Sequence, residues 1–137
     1  MEQRDYLQRQ IDQLGQVLGK VVAYLLGLRS GSIPTVGIEY ANQTLKHEID
    51  VDMNLLQSVN IDKLIPFLTI EKGFNEQNLD LLLEILLKIA DTMKRDDPKC
   101  EPLYKRCLVI CEYLDATSQT ASFDRKLKKE RMKANIR

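Results

Sequence analysis

Residues 75–93 read NEQNLDLLLEILLKIADTM, and this stretch decides the fold. Asn75 is an N-cap by its residue type and place. After it, Leu79, Leu82, Leu83, Leu86, Ala90 and Met93 recur at steps of three and four, the spacing of one helix face. Leu81, Ile85 and Ile89 widen that face into a broad apolar stripe. A helix apolar around so much of its girth sits at the centre of a domain and packs on more than one neighbour.

Working outward, helical spacing continues in both directions. Toward the C-terminus, Asp96-Asp97-Pro98 closes the central helix and opens a next one that presents Leu103, Tyr104, Cys107, Cys111 and Leu114. Thr117 to Thr120 break the pattern, and Ser122 caps a last helix anchored by Phe123 and Leu127. Toward the N-terminus, Lys72-Gly73 reads as a helix stop. Residues 53–72 carry a weaker signal: Asp52 caps a short helix with Met53, Leu55, Leu56 and Val59, and Asn60 caps a second with Leu64, Ile65 and Leu68 inward. Pro66 lies inside that second pattern and predicts a kink or a start there. Earlier still, Ile38, Ala41, Leu45 and Ile49 share a face after the turn Ser30-Gly31-Ser32-Ile33-Pro34. The first helix, over roughly 5–29 with Asp5 as its cap, carries Leu7, Ile11, Leu14, Leu18, Val21, Leu25 and Leu28 at alternating steps of four and three, a heptad seam.

No segment alternates with period two, so the expectation is an all-α chain of about six helices in antiparallel pairs, forming one compact domain. Its predicted core includes Leu14, Leu18, Leu82, Leu86, Cys107 and Cys111. The helical domain is assigned to residues 1–122, and residues 123–137 to a basic C-terminal helix, docked or partly frayed. The 137 residues suit one domain. A 44% hydrophobic and 29% charged composition argues against a mostly disordered chain. The net charge of zero excludes a globally basic nucleic-acid coat, but it hides a separation. Residues 123–137 hold seven basic and two acidic side chains, a net +5, against −5 over residues 1–122.

Each candidate for chemistry has a structural explanation beside it. Cys100, Cys107 and Cys111 fall on one helix face, which suggests a metal or redox cluster completed by His47, the single histidine. No C-x-x-C pair exists and one helix face makes a poor tetrahedral site, so buried inert thiols are the preferred reading and no metal or cofactor is expected. The carboxylate pairs Asp50/Asp52 and Asp96/Asp97 sit at helix ends, where capping accounts for them. Gly15-x-x-x-Gly19 lacks the Lys-Ser/Thr of a phosphate loop and lies within a helix, where it marks a close helix crossing or a dimer contact. The seam Leu7, Ile11, Leu14, Leu18 and Val21 carries the same pair of readings, helix packing or homodimer. Arg125, Lys126, Lys128, Lys129, Arg131 and Lys133 form the candidate interaction surface; on a helix these charges point nearly all round, which fits a solvated terminal helix better than a nucleic-acid reader. The longest apolar run near the N-terminus is far short of a membrane span, and the N-terminus is no signal peptide. A cytoplasmic protein with reduced thiols, not bound to a membrane, is expected.

Cys100, Tyr104, Cys107 and Leu108 resemble the second helix of a tetratricopeptide repeat, whose pattern is small-x-x-x-aromatic-x-x-small-Leu. Gly37, Ala41, Thr44 and Leu45 form a weaker copy. The resemblance implies helix hairpins packed tightly at the small residues. The opening Asp5-Tyr6-Leu7-x-Arg9-Gln10-Ile11-x-Gln13-Leu14-Gly15 is similar to an uncharacterised bacterial family of small helical proteins, a likeness that extends over most of the chain and implies a fold and a cytoplasmic location but no activity. The two copies lie 63 residues apart, not a multiple of the usual repeat of about 34, and no peptide-binding residues are carried over. With no catalytic constellation in view, the expected function is a non-enzymatic protein-interaction or adaptor module with an unknown protein partner. The alternative is a small nucleic-acid-associated regulator that contacts phosphates through the basic tail.

Overall fold

The computed structural model describes residues 2–27, 35–117 and 123–136, with side chains from 8–27, 37–117 and 125–136. The elements run α1 (Glu2–Gly27), α2 (Thr35–Ile49), α3 (Met53–Ser58), a 3-10 turn (Ile61–Lys63), α4 (Leu64–Pro66), a π turn (Phe67–Glu71), α5 (Glu76–Thr92), α6 (Cys100–Thr117) and α7 (Phe123–Ala134). The fold is all-α, and the described residues contain no strand. The turn predicted at 30–34 and the cap at Ser122 lie outside the described residues.

The central stretch is α5, opened as its sequence predicts: the Asn75 side-chain oxygen accepts from the Asn78 backbone N–H at 2.8 Å. Leu79, Leu82, Leu83, Ile85, Leu86, Leu87, Ile89 and Ala90 are all buried, because α5 packs on α1 along one side and on α6 along another. Single bonds fix the directions. Cys100, at the start of α6, and Tyr104 reach Ala90 and Asp91 near the end of α5, so α5 and α6 run antiparallel. Arg125, at the start of α7, meets Asp115 and Cys111 in the last turns of α6, so those two run antiparallel as well. Tyr24, late in α1, lies against Tyr40 of α2 with ring centroids 4.1 Å apart. Leu14, Leu18, Leu82, Leu86, Cys107 and Cys111 are buried as expected.

Two boundaries differ from the sequence expectation. Helix α1 already runs from Glu2, so Asp5 lies inside it instead of capping it. Helix α5 ends at Thr92, with Met93 extended as its C-cap. Asp52 caps α3 through the Leu55 N–H at 2.8 Å, and Asn60 accepts from the Asp62 N–H at 3.3 Å. At Pro66 the winding changes from α to π: proline offers no N–H, and the chain beyond it closes wider, with Lys72 N–H donating to Phe67 O at 3.1 Å. Gly73 then takes φ +71°, the left-handed conformation, and turns Phe74 back into the core.

The first part of the weak stretch, the end of α3, is held by a side chain far along the sequence. The Arg106 guanidinium, from α6, donates to Leu56 O and Gln57 O, both at 2.8 Å, to Val59 O at 3.0 Å and to Pro102 O at 3.1 Å. Three of these carbonyls sit at the C-terminal end of α3, where a helix has acceptors without intrahelical partners. Burial lowers the affinity of this guanidinium for its proton, and the four carbonyl contacts replace its lost hydration.

Candidate interaction surfaces

The six tail cations sort themselves by the face of α7. Arg125 is only 8% exposed and pairs with Asp115 at 3.1 Å and Asp80 at 3.6 Å. Lys128 pairs with Glu84, Lys129 with Asp115 at 3.6 Å, and Arg131 with Asp91. Asp91 also accepts the Tyr104 hydroxyl at 2.7 Å, so one carboxylate joins α5, α6 and α7. Lys126 and Lys133, one heptad apart, stay on the exposed face. The charges surround the helix, and four of them, Arg125, Lys128, Lys129 and Arg131, reach acids of the chain's own body. The expectation that Leu127 anchors the helix is corrected. It is 51% exposed, and Met132, fully buried, is the apolar anchor. Arg125, Lys128 and Met132, at i, i+3 and i+7, define the docked face. Phe123 has no described side chain. Partly exposed ion pairs contribute about 0–1 kcal/mol each, so among the described residues the tail is held by several small ionic terms, buried Met132 and half-buried Ile136.

The seam faces inward. Leu14, Leu18, Val21 and Leu25 are buried in the chain's own core and Ile11 is half-buried; the Leu7 side chain is outside the described set. Gly15 and Gly19 of the seam helix differ. A Cβ on Gly15 would come within 3.0 Å of the Asn78 side-chain oxygen, so this is a close crossing with α5, where buried Asn78 also donates to Ile11 O at 3.3 Å. A Cβ on Gly19 would meet nothing within 4 Å, so a tight crossing is not the reason for that glycine.

The thiols are walled in. Cys100, Cys107 and Cys111 are free and buried, and burial pushes each thiol above its ordinary value of 9.0, aided by Asp97, Asp91 and Asp115 respectively. Such groups resist forming the thiolate that nucleophilic or metal chemistry needs. His47 stands exposed on α2. No group of three or more potential ligands that could hold a metal occurs among the described residues.

The sequence gives little sign of a further surface. Between α1, the end of α2 and the π turn runs an open groove of about 900 Å³. Gln13, Val17 and Lys20 line it from α1, Glu48 and Ile49 from α2, and Ile70, Lys72 and Phe74 from the far side. Ile70 is 80% exposed, and Ile11, Val17 and Ile49 are half-buried. At the rim, Lys72 lies 3.8 Å from Asp50 and 5.8 Å above the Phe67 ring. Only the isoleucine left outside the Leu64–Leu68 helical spacing hinted at this surface in the sequence. Among the described residues no helix is long and apolar enough to cross a membrane. Comparison with family models, curated proteins and solved structures returns no match.

Proposed function

We propose that this chain is a non-enzymatic protein-interaction module that holds a short segment of a partner protein in the groove between α1, α2 and the π turn. The observation that carries this reading is Ile70, a large apolar side chain 80% exposed at the lip of an open groove with half-buried Val17 and Ile49 along its walls. An apolar anchor rimmed by charges of both signs, here Lys20, Glu48, Glu71 and Lys72, is the usual make-up of a peptide-docking surface. The raised thiols and the capping roles of Asp52 and Asp97 give these particular residues structural rather than catalytic parts, in keeping with the non-enzymatic reading.

The helices pack in two pairs. Helix α1 packs on α2, α5 packs on α6, and the first members of the two hairpins, α1 and α5, pack on each other. Three free cysteines are consistent with a reducing, cytoplasmic setting. The nucleic-acid alternative is not adopted, because four of its six cations already neutralise the chain's own carboxylates. Selection of displayed peptides against the full chain tests the groove. Peptides that bind the parent are expected to bind Ile70→Glu at least about tenfold more weakly. Equal binding to parent and variant, or no selected peptide at all, defeats the reading.

A further inference from the structure

The contacts of α7 describe a ligand and its receptor within one chain. On the receptor side, α5 presents Asp80, Glu84 and Asp91 along one flank, and α6 adds Asp115. On the ligand side, Arg125, Lys128 and Arg131 stand one turn apart and meet those acids in ascending order, so α7 lies parallel to α5. Arg125 sets the register, because it is buried between two carboxylates from two different helices. Between the charged pairs, Met132 fills the apolar floor.

We infer that this α5–α6 face takes α7 from a second copy of the chain as well as its own, so that two copies exchange their C-terminal helices. Three observations lead there. Among the described residues the attachment combines ion pairs with only two apolar contacts from the tail, buried Met132 and half-buried Ile136, and Leu127 already faces solvent, so α7 leaves with little apolar surface of its own to expose. Only five residues, 118–122, separate α6 from α7 in the sequence, and the +5 segment they introduce faces a −5 remainder, so a released helix is drawn to the body of any copy nearby. An exchanged pair rebuilds every contact of α7 in trans, so it needs no complementary surface beyond the one already present. The exchange rests on the α7 interface alone and is independent of the groove reading. Protein concentration favours it, whereas salt, which weakens the same ion pairs in the closed and in the exchanged form, speeds the opening of α7 without favouring either form.

The test uses the unmodified full chain. Copies grown with light and heavy nitrogen are mixed, equilibrated until the pattern is constant, and treated with a zero-length carbodiimide that joins an amine to a carboxylate already in contact. Mass spectrometry then reads the linked pair Lys128–Glu84. Mixed-isotope pairs are expected, with a share that rises with chain concentration. The link between Lys88 and Glu84, 3.8 Å apart one turn along α5, is the internal control and is expected to remain single-isotope. Single-isotope Lys128–Glu84 pairs at every concentration overturn the exchange. Mixed pairs appearing equally at Lys88–Glu84 overturn it also, because they report random collision.

Discussion

Arg106 shows how much one side chain can decide. Its four backbone acceptors close the end of α3 and join it to α6. Replacing it with Met takes the donor from three part-buried carbonyls, those of Leu56, Gln57 and Val59, and is expected to cost about 2–4 kcal/mol, read from urea unfolding. Lys is expected to recover little of that loss, since one ammonium cannot reproduce the planar fork that spans three carbonyls. The glycines of α1 give a finer contrast. Ala at position 19 enters open space and gains helix propensity, so Gly19→Ala is expected to stabilise by about 0.5–1 kcal/mol. Ala at position 15 gains the same propensity but presses on Asn78, so Gly15→Ala is expected to fall clearly below it on the same unfolding curve. Gly73, at φ +71°, allows Phe74 to return to the core; Gly73→Ala is expected to lose about 1–2 kcal/mol through left-handed strain alone.

The elements differ in what holds them. Helix α5 is locked on two sides by leucines and isoleucines, whereas α7 rests on Met132 and its ion pairs. Hydrogen exchange is expected to be slowest in α5 and fastest in α7 among the described helices, and α7 exchange is expected to quicken with added salt while α5 stays unchanged. If salt leaves α7 protection untouched, apolar contacts and not charges hold it. The same contrast explains what was legible in the sequence. Helices α1, α5 and α6 bury leucine-rich faces, so periodicity alone marks them and their cores. The docked face of α7 is read by acids on α5 and α6, so a pattern search for apolar residues selects Leu127 and passes over Met132. The groove was illegible for a related reason. Its walls come from α1, α2 and the π turn, and the π turn depends on Pro66, whose effect on winding is local, and on Gly73, whose backbone angle no periodicity reveals.

For the whole molecule, the buried acids that matter to pH are the three thiols and the Tyr104 phenol. Each is pushed up on folding, the thiols by burial and Tyr104 by burial and its bond to Asp91. In the unfolded chain these groups ionise from their ordinary values of 9.0 and 10.0, while in the folded chain they give up their protons only at higher pH. The unfolded state then binds fewer protons, so stability is intact below about pH 8 and is expected to fall above pH 9, by about 1.4 kcal/mol per pH unit for each group ionised only when unfolded. Replacing Cys107 with Ala should flatten that alkaline decline even where it lowers stability at neutral pH. Thiol titration gives a companion measurement: a polar disulfide reagent should find no fast-reacting cysteine in the native chain and three after unfolding. The clasp of Arg106 on α3 also has a bearing on synthesis. A ribosome delivers residues 53–71 well before residue 106 exists, so this part of the chain must leave the exit tunnel with its acceptors facing water and wait for a donor that has yet to be translated. Its final shape is thus imposed last, from the C-terminal side, and a chain arrested before residue 106 carries α3 without the contact that completes it.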